Sequence, residues 1–239
     1  NIMLNLMNNI CIIPARSGSK RIKNKNLKLF FKKPLIYWSI KAAINSKLFN
    51  KVIVSTNDKF IAVKAKKFGA SVPFLRSKKN SSDTVTVHSA IRETILELKS
   101  CNESFDNVCC ILPTAVLINP NHLCKSFDLF KKNKKKFLIG VAKFPSTPQK
   151  AFILSKNSSI KLFYKNRLFN RTQSYKNVYY DAGQFYWGTT KNYIQYEDFR
   201  EIYNKKSIGF VLKENEIQDI DDIEDFKLAK IKFKYKYTK

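Results

Sequence analysis

The sequence predicts an α/β fold built on a mostly parallel sheet. Short apolar runs rich in branched residues, typical of buried strands, alternate along the chain with segments whose apolar residues recur at helical spacing. The chain has 239 residues, of which 44% are hydrophobic, so it can bury a sizeable core. Because parallel sheets of this kind hold ligands beyond the carboxyl ends of their strands, we expect the functional residues in the loops that follow strands.

The first part of the chain supplies three predicted strands and two predicted helices. One helix begins at Pro34, since proline is acceptable at a first helical position, and continues to Ile44. A second helix follows Asp58, whose side chain can cap it, and ends at Gly69, which suits a left-handed C-terminal residue. The predicted strands around these helices are residues 10–14 (ICIIP), 51–55 (KVIVS) and 72–75.

The alternation continues to residue 141 and then weakens. Pro145, Pro148 and a mixture of Asn, Lys, Tyr and Phe residues follow, so we predict an excursion over residues 144–183 within the same domain. We assign residues 1–143 and 184–239 to the core. The remaining predicted elements of the core are helix 83–99, strand 108–112, helix 119–130, strand 137–141, strand 184–188, strand 207–212 and helix 221–231.

Several common site motifs do not occur in the sequence. Neither the P-loop pattern nor the G-x-G-x-x-G dinucleotide pattern can be written, and there is no H-E-x-x-H zinc motif. No run approaches the roughly 18 apolar residues that a membrane span needs, and the opening residues lack a signal-peptide pattern, so we expect a cytoplasmic protein without a membrane partner. The cysteines include no C-x-x-C pair, so we interpret them as small buried hydrophobic residues.

The formal charge of +27 leaves two classes of function open. Residues 131–136 (KKNKKK) and the lysine-rich residues 227–239 could contact phosphates, so a basic nucleic-acid-binding protein is one hypothesis. Against it, the lysines are spread along the whole chain, and no helix-turn-helix, zinc-finger or ribonucleoprotein motif stands out. We therefore favour a solvated basic surface without a dedicated nucleic-acid partner.

The loop after the first strand, residues 14–28 (PARSGSKRIKNKNLK), combines small residues with clustered cations. Ser17, Gly18 and Ser19 can free backbone N–H groups beside the basic side chains, which together suit a triphosphate. A solvated basic loop is the alternative in so basic a chain, but the position directly after a buried strand favours a binding function. The basic residues of this loop include Arg16, Lys20, Arg21, Lys23 and Lys25.

Asp219 and Asp221 form an acidic pair in the segment EIQDIDD. In extended backbone, residues two apart point to the same side, and two carboxylates near a triphosphate suit Mg²⁺. The alternative is that Asp221 and Glu224 form the capped start of a helix, which requires no metal but leaves Asp219 unexplained.

Six motifs give the chain a resemblance to the acylneuraminate cytidylyltransferases over nearly its whole length. The opening motif is the most specific, and within the family VPFLR, the strand CCILPTA and especially DAGQFYWG are most similar to the members that act on pseudaminic acid. The motifs are IIPARSGSKRIKNKNL (12–27), VIVSTND (52–58), VPFLR (72–76), CCILPTA (109–115), DAGQFYWG (181–188) and DIDDIEDF (219–226).

The resemblance implies a nucleotide-diphospho-sugar transferase fold, which is Rossmann-like, and a homodimer in which the excursion of each subunit reaches toward its partner's active site. It also implies an Mg²⁺-dependent reaction of CTP with a nonulosonic acid that yields a CMP-sugar and pyrophosphate. Pseudaminic acid is the first candidate for the acceptor, and N-acetylneuraminate and legionaminate are the alternatives.

The resemblance assigns roles to individual residues as well. Lys20 and Lys25 are expected to be catalytic by holding the triphosphate and neutralising its charge. Asp219 and Asp221 are expected to be catalytic by holding the metal ion. The residues expected to bind substrate are Arg16, Ser19 and Asn26 at the triphosphate, Arg76, Ser82 and Asp83 nearer the cytidine, and Gln184 at the sugar.

Among the positions that depart from the family pattern, one bears on function. Leu112 stands where relatives that activate sialic acid usually have glutamine, which weakens an N-acetylneuraminate assignment. Asn57 stands where aspartate is common, a change that we expect only to adjust a loop. Neither His88 nor His122 lies in a family motif, so we interpret both histidines as structural.

Overall fold

The structure, a computed structural model, describes residues 8–82, 85–133, 135–164, 175–196, 203 and 206–237. Its strands are β1 (Asn9–Pro14), β2 (Leu29–Phe30), β3 (Lys33–Pro34), β4 (Lys51–Ser55), β5 (Asn107–Ile111), β6 (Phe137–Lys143), β7 (Phe152–Leu154), β8 (Ile160–Leu162), β9 (Tyr179–Thr189) and β10 (Ser207–Leu212). Its helices are α1 (Leu35–Ser46), α2 (Lys59–Lys67), α3 (Val87–Ser100), α4 (Pro120–Asn133), α5 (Thr190–Gln195) and α6 (Ile223–Tyr237).

A six-stranded sheet in the order β10-β6-β9-β5-β1-β4 forms the centre of the molecule. Its strands run parallel except β9, which is antiparallel to both β5 and β6. The chain leaves the sheet at the end of β6 and returns beside it, with Tyr179 opposite Lys143. Because β9 begins at the same end of the sheet at which β6 finishes, it runs in the opposite direction. The prediction of a mostly parallel α/β sheet is confirmed.

Helices cover both faces of this sheet, because successive residues of a strand point to opposite sides. On β1, Cys11 and Ile13 pack into the core beneath α1, α2 and α4. Ile10 and Ile12 pack on the other face, beneath α3 and α5. All of these side chains are fully buried, which explains why β1 reads as a continuous apolar run.

A third apolar cluster joins residues 14–28, here called the basic loop, to residues 216–222, here called the acidic segment. Ile22 from the basic loop and Ile220 from between the two aspartates are both buried in it, together with Phe226 of α6. The short β2–β3 hairpin contributes Phe30, whose ring meets that of Phe226 edge-on at 5.8 Å. Packing of these apolar residues therefore brings together two segments that lie about 200 residues apart in the sequence.

One predicted strand, residues 72–75, is wrong. Ser71 forms an isolated parallel bridge with Ile53, donating its N–H to Val52 O and accepting from Val54 N, and no strand follows it. The next position but one is Pro73, which has no N–H to continue the ladder.

Most of the other predicted elements are present with somewhat different bounds. Helix α3 begins at Val87 rather than at 83, because Thr86 caps it by accepting a hydrogen bond from Ser89 N. Strand β9 begins at Tyr179 rather than at 184, since pairing with β6 extends it. Helix α6 is displaced to Ile223–Tyr237, and β6 continues to Lys143.

The segment between β6 and β9 contains a small antiparallel hairpin, β7–β8. Its apolar residues are unusually exposed: Phe152 by 50%, Leu154 by 67% and Ile160 by 64%. Among the described residues, no helix is long and apolar enough to cross a membrane.

Candidate active site

A cleft of about 450 Å³ lies at the carboxyl edge of the sheet, where β1 and β5 end. Its walls come from the basic loop, from residues 112–114 after β5 and from the acidic segment before α6. The charged and polar side chains that line it include Arg16, Ser19, Lys20, Arg21, Lys25, Asn26, Asp219 and Asp221. The structure thus brings together residues that the sequence analysis proposed at both ends of the chain.

A larger cavity, about 610 Å³, lies between α3 and α5. Its walls are mainly apolar and include Ile95, Leu98, Phe105 and Ile194. Cavity size alone does not identify the site, because chemistry on a charged ligand requires fixed charges, and the walls of this cavity are mainly apolar. We therefore identify the smaller, charged cleft as the candidate active site.

The basic loop is fixed to the rest of the molecule at two points. Ser17 donates its backbone N–H to Asn57 Oδ1 at 3.0 Å, and Asn57 Nδ2 donates to Ser17 Oγ, also at 3.0 Å. Buried Asn26 donates from Nδ2 to Arg16 O at 2.9 Å. Between these points Gly18 has φ +84°, a left-handed conformation that favours glycine. These hydrogen bonds give the loop a defined shape, in which its cations face the cleft.

Asn57→Asp should leave the KM for CTP, the substrate that the sequence resemblance implies, within about threefold of the wild-type value, because a carboxylate can accept from both Ser17 N–H and Ser17 O–H. Asn57→Leu removes both hydrogen bonds and should raise that KM about tenfold, which corresponds to the 1–1.5 kcal/mol typical of such interactions. Steady-state kinetics with CTP varied would test both variants. Equal KM values for the two variants would contradict this role of Asn57.

Lys25 connects the basic loop to the acidic segment. Its Nζ donates to Ile220 O at 2.7 Å and lies 3.3 Å from Asp221 Oδ1. Arg21 Nη2 lies 3.0 Å from the other carboxylate oxygen of Asp221. The acidic segment is thus held against the cations of the loop, so Lys25 both organises the cleft and contributes charge to it.

The helix-cap alternative for Asp221 is wrong. The side chain that caps α6 belongs to Asp222, whose Oδ1 accepts from Glu224 N and Asp225 N, each at 2.9 Å. Asp225 completes the reciprocal arrangement by accepting from Asp222 N at 3.1 Å, and it also accepts from Asp221 N at 2.9 Å. The Asp221 side chain is therefore available to the cleft, where its partners are the two cations described above.

Asp219 opens onto the cleft close to Asp221. Desolvation by the surrounding protein, together with the negative charge of Asp221, raises the pKa of Asp219 to about 6. Nearby Lys25 acts in the opposite direction. Within the described part of the chain, the Asp219 carboxylate makes no hydrogen bond or ion pair of its own.

These carboxylates fit a hard divalent cation that also binds phosphate. The negative charges of two neighbouring carboxylates repel each other, and a bound cation relieves that repulsion. Mg²⁺ is usually held by one or two carboxylates together with substrate phosphates and water. Among the described residues, no group of three or more His, Cys, Asp or Glu side chains could form a complete metal site. The donor set is therefore suited to an ion shared with a phosphorylated ligand.

Three of the described residues predicted to bind substrate do not line the cleft. Arg76 is buried, donates to Ser55 Oγ and to Ser55 O, and has its pKa lowered to about 10, chiefly by burial. Gln184 is also buried and donates from Nε2 to Ala182 O at 3.0 Å. Ser82 follows a short 3₁₀ helix at the surface, and Asp83 lies outside the described residues.

Some residues of the cleft carry no chemical signal in the sequence. Val87 at the start of α3 and the run Leu112, Pro113 and Thr114 form part of its wall. Their residue types do not distinguish them from core residues. Leu112, Pro113 and Thr114 were indicated only through the motif CCILPTA, and Val87 was not indicated. Arg21 was visible as a member of the basic loop, but its pairing with Asp221 was not.

Neither histidine lines the cleft. His88 is fully buried and stacks on Tyr193 with ring centroids 5.4 Å apart. His122 lies near Glu216, with Nε2 3.4 Å from Oε1. Their contacts are those of structural residues.

Comparison with known proteins shows which family the sequence of this chain matches. The sequence profile of the family described as "Cytidylyltransferase" matches residues 10–235. The chain is 41% identical over 228 residues to the pseudaminic acid cytidylyltransferase of Campylobacter jejuni strain 81-176, an alignment covering 95% of this chain and 97% of that one. It is 31% identical to the CMP-N,N'-diacetyllegionaminic acid synthase of Legionella pneumophila, with 92% and 94% of the two chains covered.

Comparison with solved structures identifies the fold. A CMP:2-keto-3-deoxy-manno-octonic acid synthetase, solved as a complex with CTP, superposes with a TM-score of 0.71 over 96% of this chain and 99% of that one. The sequence identity is 15%, so this likeness concerns the fold. The predicted nucleotide-sugar transferase fold is confirmed.

Proposed function

Because the chain belongs to the cytidylyltransferase family, we propose that it joins CMP from CTP to pseudaminic acid. The chain is a nucleotidyltransferase that forms a CMP-sugar from CTP. This family membership favours the enzyme over the nucleic-acid-binding protein that the charge also allowed. The observation that carries the proposal is the cleft itself, in which the cations of one loop face the two carboxylates of another.

The reaction replaces one bond at phosphorus with another. The anomeric hydroxyl oxygen of the sugar bonds to the α-phosphorus of CTP, the bond from that phosphorus to the bridging oxygen breaks, pyrophosphate leaves and the hydroxyl proton passes to solvent. Most of the barrier to such a transfer lies in aligning the reactants and in stabilising concentrated negative charge. Fixed cations in a shaped cleft meet both requirements.

The basic loop would hold the triphosphate. Arg16 and Lys20 line the cleft directly, and the left-handed Gly18 lets the backbone between them curve as an anion-binding loop requires. Ser19 supplies a further polar group at the wall. The two hydrogen-bonded supports of the loop reduce the entropy lost when CTP binds.

Asp219 and Asp221 would hold Mg²⁺ beside the phosphates. When bound, this ion supplies charge neutralisation at the triphosphate. The pKa of Asp219 is raised because burial and the charge of Asp221 disfavour its ionised form. A bound cation would offset this penalty by favouring the ionised form of both carboxylates, which supports the assignment. Lys25 keeps the segment that carries them against the basic loop.

Two observations support pseudaminic acid as the acceptor. Identity is 41% to a pseudaminic acid cytidylyltransferase and 31% to a legionaminic acid enzyme, with similar coverage. Leu112 gives the cleft wall an apolar side chain where relatives that activate sialic acid usually carry glutamine. N-Acetylneuraminate and legionaminate remain the alternative acceptors.

The acceptor can be identified by a panel of nonulosonic acids. The purified protein would be incubated with CTP, Mg²⁺ and each of pseudaminate, legionaminate and N-acetylneuraminate, and pyrophosphate release and product mass would be measured. We expect the highest kcat/KM with pseudaminate. A higher value with another sugar would overturn the acceptor, and no CMP-sugar from any of the three would count against the whole proposal.

We also propose that the β7–β8 hairpin mediates a homodimer. An isolated two-stranded hairpin is marginally stable in water, and this one exposes Phe152, Leu154 and Ile160. A second copy of the chain would cover them through a two-fold interface, the commonest arrangement in soluble oligomers. Phe163 and Tyr164, which follow the hairpin, add exposed aromatic surface, whereas Phe169 lies outside the described residues.

The double variant Leu154→Glu/Ile160→Glu should be monomeric at micromolar concentration. These residues face each other across the hairpin, and burying two carboxylates in an apolar interface is strongly unfavourable. Light scattering in moderate salt would measure the mass. Phe60→Glu, at a 78%-exposed position on α2, is the matched control and should stay dimeric. A monomeric wild-type protein would contradict the dimer.

A further inference from the structure

Strand β9 contains a large irregular bulge beside the cleft. Val141 pairs with Asp181 and Ile139 pairs with Tyr186, so one residue of β6 lies opposite residues 182–185 of β9. We call these four residues the β9 bulge. Bulges redirect side chains and are common next to active sites. Gln184, within the bulge, donates a hydrogen bond from its buried Nε2 to Gly183 O at 3.1 Å, so the bulge is stabilised by a hydrogen bond between its own residues.

The bulge brings Gly183 against Asp219. Gly183 has φ +60°, and a Cβ at this position would lie 3.0 Å from Asp219 Cγ and 3.1 Å from Oδ2. Only glycine combines this backbone conformation with so close an approach. The Asp219 carboxylate therefore lies directly on the backbone of β9, which limits the positions that it can take.

A second carboxylate, Asp181, holds the bulge in this shape. Its Oδ1 accepts the N–H of Gly183 at 2.9 Å. The hydroxyl of Tyr186 lies 3.0 and 2.9 Å from its two oxygens, and the hydroxyl of Tyr203 also donates to it. Burial, with the charge of Asp181, raises the pKa of Tyr186 far above its ordinary value, so this tyrosine stays a donor.

We infer that the β9 bulge sets the position of Asp219 at the cleft, with Gly183 and Asp181 as positioning residues. The inference rests on the proposed function only in treating Asp219 as a ligand of Mg²⁺. Neither residue needs to touch substrate, since Gly183 acts by contact with the carboxylate and Asp181 acts by holding Gly183. Residues that orient a metal ligand typically contribute about tenfold to a hundredfold in metal affinity or activity.

The test compares Gly183→Ala with Gly69→Ala. Gly69 has φ +99°, and a Cβ there would lie 3.0 Å from Ile44 Cδ1, so this control carries a similar backbone and steric penalty outside the cleft. We expect similar falls in thermal midpoint. Only Gly183→Ala should weaken Mn²⁺ binding to the CTP complex, measured without sugar, by about tenfold or more. A crystal structure of that variant should show Asp219 displaced.

Asp181 provides a second pair of variants in case Gly183→Ala fails to fold. Asp181→Asn keeps an acceptor for Gly183 N–H and should retain most Mn²⁺ affinity, whereas Asp181→Ala should lose about tenfold. Equal Mn²⁺ affinity in wild type and Asp181→Ala, or an unmoved Asp219 in Gly183→Ala, would overturn the inference. If no sugar is converted, the proposed function fails, but the position of Asp219 in the variant still decides the role of the bulge.

Discussion

Asp221→Asn should reduce turnover by about a hundredfold or more and leave the thermal midpoint nearly unchanged. Asparagine keeps the shape of the side chain but removes the charge that would hold Mg²⁺. The stability effect should be small, because the ion pairs of Asp221 with Arg21 and Lys25 are partly exposed and such pairs contribute at most about 1 kcal/mol. Asp219→Asn should reduce turnover similarly.

The neighbouring residue supplies a matched control. Asp222 caps α6, so Asp222→Ala should lower stability by about 1 kcal/mol while turnover is retained. Pyrophosphate release would be measured against Mg²⁺ concentration, together with the thermal midpoint, for all three variants. Full activity at the wild-type Mg²⁺ optimum in both Asp219→Asn and Asp221→Asn would remove the metal assignment.

Lys25→Met should also lower turnover by about a hundredfold. Methionine keeps much of the length of the side chain but cannot donate to Ile220 O, and it removes the cation beside Asp221. The acidic segment would then lose its link to the basic loop and the cleft would lose charge where phosphate charge develops. We expect a larger effect on kcat than on the KM for CTP, since Arg16 and Lys20 remain in place.

Lys23→Met is the matched control for this variant. Lys23 belongs to the same loop but is exposed and does not line the cleft, so its loss should change kcat by less than about threefold. Steady-state kinetics with CTP and the sugar varied in turn would compare the two variants. Equal loss of activity in both would indicate that only the overall charge of the loop matters.

Features that depend on neighbouring residues could be predicted from the sequence. The apolar runs gave β4 and β10 with their observed bounds and β1 within one residue, because a buried parallel strand must be apolar on both faces. The helix cap at Asp58 is observed, since it accepts from Phe60 N and Ile61 N. The cationic loop after β1 was identified by its composition, and its motif indicated the family that the comparisons now show.

Features that depend on distant contacts required the tertiary structure. The sequence could not show that Asp222 rather than Asp221 caps α6, because either aspartate satisfies the local pattern and only the path of the chain selects one. It could not show that Lys25 meets Ile220 O, that Arg76 is buried and bonded to Ser55, or that Gly183 lies against Asp219. Local periodicity determines which segments are buried, whereas packing between segments far apart in the chain decides which polar groups meet in the cleft.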